Sequence, residues 1–322
     1  MVRTITAINV DRALHAGLWA LRSGGVISDS RNGRVIRMPG PVVTEYLSPT
    51  QRLVSHAKRD ANHVFHLMET IWMLAGEQNV EWLLPFNSKF GQYAEDDGRQ
   101  HGAYGHRWRN RFSFDQLPAL VTELATPNTR RAVLQMWNPL SDLGSLSRDV
   151  PCNTAAYFQV RNGDLQMTVT CRSNDVIWGA YGANAVHFSM LQELIAGTLG
   201  VGVGSYYQFS NDYHIYLEMG PGAALLDNPP PDTDAYHFGN YTSIPLLAEG
   251  ETMWAFITDC EQFVRQPDPI LHTHFMRAVA KPLKAAYLAR KDGADWQSIV
   301  VGIPNCDWRQ AFVEWASRRA DK

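Results

Sequence analysis

The chain has 322 residues, 45% of them hydrophobic and 19% charged, enough to bury a large core as one big domain or two modest ones. A formal net charge of -3 with Lys and Arg scattered along the chain gives no basic face for a nucleic-acid polymer, although a local arginine cluster would still hold a small phosphorylated ligand. The start carries no apolar signal region and no window approaches a membrane span of about 20 apolar residues, so a cytoplasmic protein is expected.

Residues 9–24 read as an amphipathic helix ending at Gly24-Gly25. Ser28 to Arg34 read as a polar turn with Asn32-Gly33 at its tip, followed by a strand at Val35–Met38. On local grounds the turn is a surface loop, or a loop that sets Arg31 on an anion. Residues 60–75 form a strong helix closed by Gly76, with Glu69 among Met68, Ile71, Trp72 and Met73, where a half-buried carboxylate would suit proton shuttling. Residues 85–110 look irregular but aromatic, which argues for a functional loop over disorder. A short helix at 115–124 precedes Arg130-Arg131 and a strand at 132–137. Strands at 155–160 and 165–170 flank the hairpin signal Arg161-Asn162-Gly163-Asp164, and an apolar helix spans 187–199. Beyond the Pro-rich break at 228–235, helices are expected at 252–265, 272–290 and 307–319.

Chemistry concentrates between Val150 and Tyr216. Cys152 follows a proline at the mouth of a strand, where a lone cysteine is either a small core residue or a nucleophile. Arg172 and the Arg130-Arg131 pair would supply positive potential that lowers its thiol pKa. Ser173, Asp175, Asn184, His214 and Tyr216 add the groups that a polar heterocycle and a sugar phosphate need. The four cysteines (Cys152, Cys171, Cys260, Cys306) show no CxxC spacing and the histidines are scattered, so no metal site is expected.

Four motifs, Pro151-Cys152, Cys171-Arg172-Ser173-x-Asp175-Val176, Gly179 followed by Asn184, and Asp212-Tyr213-His214-Ile215-Tyr216, are collinear. Together they make the chain resemble thymidylate synthase and its sister pyrimidine-nucleotide hydroxymethylases over roughly residues 10 to 216. One extra residue stands between Gly179 and Asn184. The resemblance implies an α+β fold: a large mixed sheet backed by helices, paired sheet to sheet in a homodimer. It places the catalytic core at 1–227 and a helical C-terminal region at 228–322, packed on that core. Position by position, it implies that Cys152 is the nucleophile that adds to C6 of the pyrimidine. Arg31, Arg172, Ser173 and, from the second subunit, Arg130 and Arg131 would bind the 5′-phosphate. Asn184 would recognise the base edge, and His214 and Tyr216 would hold the 3′-hydroxyl. Asp175 would bind the pterin of 5,10-methylene-tetrahydrofolate, with Glu69 and Tyr104 organising proton transfer.

Within such a family, an exocyclic methylene on the ring has two fates: hydride gives a methyl group, and water gives a hydroxymethyl group. Phe90 and Tyr93 stand where the synthase carries two folate-packing tryptophans, Asn153 stands where it has a histidine, and its short closing tail is replaced by helices. A wetter pocket follows, and with it hydration. An asparagine at 184, where cytosine-acting relatives carry aspartate, favours uracil. The expectation is therefore 5-hydroxymethylation of dUMP in the cytoplasm of a bacterium or phage-infected cell, with no nucleic-acid polymer and no membrane as partner. The alternatives are thymidylate synthesis, dCMP hydroxymethylation and, more remotely, a nucleotide-binding protein without turnover.

Overall fold

The computed structural model describes residues 2–232 and 234–319. The chain opens with β1 (Arg3–Ala7) and α1 (Val10–Gly24), the latter capped by Asn9, whose side chain accepts the Arg12 N–H. A hairpin of β2 (Val26–Ser30) and β3 (Gly33–Arg37) follows, then β4 (Val42–Tyr46) and α2 (His63–Leu74). Short helices α3 (Tyr104–Arg109) and α4 (Gln116–Leu124) lead to β5 (Val133–Gln135) and α5 (Pro139–Asp142). The central segment holds β6 (Asn153–Arg161), β7 (Asp164–Cys171), β8 (Asn174–Asp175), α6 (Asn184–Leu199), β9 (Gly202–Ser210) and β10 (Tyr213–Tyr216). The remainder is helical: α7 (Gly222–Asp227), α8 (Met253–Arg265), α9 (Lys281–Lys291), α10 (Gln297–Val301) and α11 (Asp307–Ser317).

Two sheets result. The larger has the order β1-β4-β9-β7-β6-β5 and is mixed: β1 and β4 are parallel, as are β7 and β9, and the other pairs are antiparallel. The smaller, β2-β3-β10-β8, joins the N-terminal hairpin to the end of the central segment. Side-chain alternation sets the layers. Leu165, Met167, Val169 and Cys171 of β7 are buried, whereas Gln166, Thr168 and Thr170 on the opposite face are only partly covered. The buried face lies under α6, a helix buried nearly all round and ended by Gly200 in a left-handed conformation (φ 68°). The C-terminal helices share the core of the rest: α8 and α11 pack on α2, and the Tyr287 hydroxyl donates to the Phe86 carbonyl at 2.9 Å.

Several elements differ from the sequence reading. Ser28–Ser30 is not turn but strand, because β2 pairs residue for residue with β3 and the reversal is confined to Arg31-Asn32. The stretch 85–110 is not irregular throughout: it contains a 3-10 turn at Ser88–Tyr93 and helix α3. The helix expected from 187 starts at Asn184, and the strand expected at 132–137 shrinks to β5. The smaller sheet was not anticipated, since its strands come from distant segments.

Candidate active site

Cys152 sits half-buried immediately before β6, where the β6–β7 register slips between Asn153 and Ala155. Such an irregularity re-aims the residues beside it. Two groups hold the Cys152 backbone. The Tyr104 hydroxyl accepts the N–H of Cys152 at 3.1 Å and that of Asn153 at 3.0 Å, while the Arg172 N–H donates to the Cys152 carbonyl at 2.8 Å. Arg172 also donates from its guanidinium to the carbonyls of Pro151 (2.8 Å) and Val150 (2.7 Å). The expectation that nearby arginines would lower the thiol pKa is corrected here. Burial dominates and raises it, Arg172 pulls it down, Asp149 pushes it up again, and Arg31 pulls it down. Within one subunit, Arg130 and Arg131 are not among these influences.

Glu69 projects from α2 with its side chain 13% exposed, and His187 Nε2 of α6 lies 3.2 Å from its Oε2. A cavity of about 50 Å³ is lined by Glu69, Gln100, Tyr104 and Asp149 together with Trp72 and Met73. Its lining mixes polar and apolar groups and leaves room for water. Burial holds the Asp149 carboxyl above its usual value, and the Gly102 N–H donates to it at 3.0 Å. Tyr104 is likewise pushed well up by burial, so its hydroxyl stays neutral.

The extra residue between Gly179 and Asn184 is absorbed by a widened turn. Val176–Ala183 is a π-type turn kinked at Tyr181 and Gly182, whose backbones are not helical, and the Asn184 N–H reaches the Gly179 carbonyl, five residues back. Buried Arg59 supports this segment by donating twice to the Ile177 carbonyl, at 3.1 and 2.7 Å. Burial lowers its pKa to about 10. Asn184 therefore reaches the site despite the insertion. Its Oδ1 accepts from Asn153 Nδ2 at 2.9 Å, and its Nδ2 donates to Asn174 Oδ1 at 3.1 Å.

The other candidates fall into place unevenly. His214 on β10 pairs in register with Asp175 of β8. Burial opposes a charge on it, but the Asp212 carboxylate and Asp175 outweigh this and raise its pKa. Its ring meets Tyr216 edge-on at 5.2 Å, and Tyr216 in turn approaches the half-exposed Trp178. Asp175 Oδ1 caps the widened turn by accepting from Ile177 and Trp178, whereas its Oδ2 is buried with no partner among the described residues. Ser173 lies between Arg172 and these strands. Arg31 is exposed at the β2–β3 tip, yet close enough for its charge to act on Cys152. Phe90 is 8% exposed and packs on Phe65 and Trp72, so it belongs to the core; Tyr93, 46% exposed, presents the free aromatic surface. Arg131 is paired with Glu123 on the surface, and Arg130 is exposed beside it. Among the described residues, neither bonds to the site of its own subunit.

Sequence reasoning noted Asn153 only as a departure from the synthase, and missed Asn174, His187, Asp149, Gln208 and Arg59. Asn174 stands inside the Arg-Ser-x-Asp cluster at the position read as variable. A further polar side chain inside that cluster was the available signal. Among the described residues, no group of His, Cys, Asp and Glu is arranged to hold a metal ion. No described helix is long and apolar enough to cross a membrane.

A family model described as thymidylate synthase matches residues 25–230. The deoxyuridylate hydroxymethyltransferase of Pseudomonas phage M6 is 42% identical over 334 aligned residues, covering 99% of this chain and 95% of that protein. The deoxyuridylate hydroxymethyltransferase of Bacillus phage SP01 is 37% identical, covering 62% of this chain and 54% of that protein. In structure, the thymidylate synthase of T4 phage superposes with a TM-score of 0.54 at 23% identity, covering 63% of this chain and 76% of that one. This last likeness concerns the fold.

Proposed function

This chain belongs to the thymidylate synthase family, and from that premise we propose that it hydroxymethylates deoxyuridylate at C5, taking the carbon from 5,10-methylene-tetrahydrofolate and the hydroxyl from water. The observation that carries this reading is the 42% identity to a deoxyuridylate hydroxymethyltransferase across 99% of the chain, C-terminal helices included. A match confined to the core would leave methyl and hydroxymethyl equally open.

The chemistry follows from the side chains. Cys152, once deprotonated, adds to C6 of the uracil ring and makes an enolate, so that C5 becomes nucleophilic. C5 attacks the one-carbon unit, loses its proton, and after departure of tetrahydrofolate carries an exocyclic methylene. Water adds to that methylene, and expulsion of the Cys152 sulfur restores the ring. The backbone grip of Tyr104 and Arg172 on Cys152 fixes the nucleophile in place. Glu69 borders the cavity of about 50 Å³ beside Tyr104 and Asp149 and is the group to handle the proton of the water. Arg31, Arg172 and Ser173 bind the phosphate, with Arg130 and Arg131 arriving from a second subunit. His214 and Tyr216 hold the sugar, and Asn184 reads the base.

The folate is a co-substrate, and the residues present suit it. Asp175 Oδ2, buried and without a partner among the described residues, is an acceptor that the N–H edge of a pterin would satisfy. Trp178, whose backbone N–H donates to Asp175, is 42% exposed and offers aromatic surface beside it, and Tyr93, 46% exposed against Phe90, offers more.

The test is direct. Incubation with dUMP and methylene-tetrahydrofolate should yield a nucleotide heavier by one hydroxymethyl group, with no rise in absorbance from dihydrofolate. A rise with a methylated product would return the chain to thymidylate synthesis. Cys152→Ala should abolish turnover, by at least about 10⁴-fold; residual turnover near wild type would reject covalent catalysis.

A further inference from the structure

An asparagine amide can meet a base edge in two ways, because a half-turn exchanges its oxygen and nitrogen. We infer that Tyr206, Gln208 and Asn174 form a polarity relay that locks the Asn184 amide in the orientation that accepts uracil and refuses cytosine. This deepens the deoxyuridylate reading above and rests on it.

The relay begins at a group that cannot reverse. The backbone carbonyl of Asn184 only accepts, and the Tyr206 hydroxyl donates to it at 3.5 Å, the longest link. With its single hydrogen used, the Tyr206 oxygen must accept from Gln208, whose Nε2 lies 3.0 Å away. Gln208 thereby turns Oε1 toward Asn174, whose Nδ2 donates to it at 2.8 Å and to Ser210 Oγ at 2.8 Å. Asn174 is left presenting Oδ1 to Asn184 Nδ2 at 3.1 Å, and Asn153 Nδ2 completes the line on Asn184 Oδ1 at 2.9 Å. All of these side chains are buried. Turning Asn184 alone would set oxygen against the oxygen of Asn174 and nitrogen against the nitrogen of Asn153. Undoing both clashes requires turning the three other amides as well and withdrawing the Tyr206 hydrogen from the carbonyl. Gly179 permits this close arrangement: a Cβ there would stand 2.5 Å from Asn174 Oδ1 and 3.3 Å from Asn184 Nδ2.

After these bonds Asn184 keeps one N–H and one lone pair. They complement the O4 acceptor and N3–H donor of uracil. Cytosine offers a donor at N4 and an acceptor at N3, so both contacts become like against like. Two unpaired buried polar groups discriminate by about a hundredfold or more.

Equilibrium binding of dUMP and dCMP to the full chain tests the relay. The wild type should prefer dUMP by about a hundredfold or more. Tyr206→Phe removes the anchor and should shrink that preference at least about tenfold, with dCMP binding tighter in absolute terms. Gln208→Leu severs the next link and should do the same. Adding Asn174→Asp to Tyr206→Phe should restore the preference, because a carboxylate accepts from Asn184 at either oxygen. If Tyr206→Phe and Gln208→Leu weaken both nucleotides by one factor, leaving their ratio intact, the relay is wrong and the deoxyuridylate reading stands. If the wild type itself prefers dCMP, that reading falls instead.

Discussion

Cys152 lies between opposing influences, and its reactivity follows from which of them prevails. Burial raises the thiol above its ordinary value, Asp149 adds to the rise, and Arg172 and Arg31 oppose it. The free protein therefore holds a protonated, weakly nucleophilic thiol at neutral pH. Alkylation by iodoacetamide reads this directly, because Cys171, Cys260 and Cys306 are all buried. The rate should climb with pH through a midpoint above that of an ordinary cysteine. Asp149→Asn removes a charge that disfavours thiolate, so it should lower the midpoint and speed alkylation at pH 8 by about threefold to tenfold, each pKa unit being worth a factor of ten. Arg172→Ala should move both quantities the opposite way. Identical profiles for the three proteins would show that these charges do not set the thiol. At this scale the sequence was partly legible. It named Cys152, Arg172 and Asn184, but it put the thiol shift in the wrong direction, because residue types announce charges while burial depends on the whole fold. Asn174 and Gln208 escaped notice for a similar reason: each is one polar residue in a strand, and their meaning lies in partners about 10 to 35 residues away in the chain.

Among the elements, the contact between α2 and α3 deserves separate argument, since α2 carries Glu69 and α3 carries Tyr104. The two helices meet backbone to backbone. A Cβ on Gly105 would lie 1.8 Å from the Met73 carbonyl oxygen, a distance that no side-chain adjustment relieves. Gly105→Ala should therefore push the helices apart, at a cost of about 3 kcal/mol or more in urea unfolding, and displace the Tyr104 hydroxyl from the Cys152 backbone. Full stability in that variant would contradict the close crossing. Periodicity revealed α1, α2 and the β6–β7 hairpin, because each carries its pattern in consecutive residues. Strands β1, β4 and β9 were not foreseen. They are ordered by pairing across the sheet, and β1 and β4, both of five residues, lie far apart in the chain although they pair directly. The widened turn at Val176–Ala183 was visible only as a misfit of one residue in spacing. That misfit was the sequence trace of a local structure that keeps Asn184 in position.

On the scale of the molecule, one face of the six-stranded sheet is covered by α6 while the other carries Gln166, Thr168, Thr170 and the exposed Tyr157 and Val133. A broad flat face of this kind, with aromatic and aliphatic groups among neutral polar ones, suits a second copy of the same sheet. Arg130 and Arg131 precede β5 at the edge of that sheet and, among the described residues, bond to nothing in their own site. Stacking two sheets would bring each pair toward the other subunit's Cys152. Complementation distinguishes this arrangement from a self-sufficient monomer. Cys152→Ala lacks the nucleophile but keeps the arginines, while the double variant Arg130→Ala, Arg131→Ala keeps the nucleophile and lacks them. Each alone should be nearly inactive. Co-expressed in equal amounts, half of the dimers combine one subunit of each kind, and each mixed dimer contains one site with both the nucleophile and the partner's arginines. Activity should then return to about a quarter of the wild-type value. A mixture as inactive as its components would mean that the arginines serve the subunit that carries them, and the sheet face would then need another occupant.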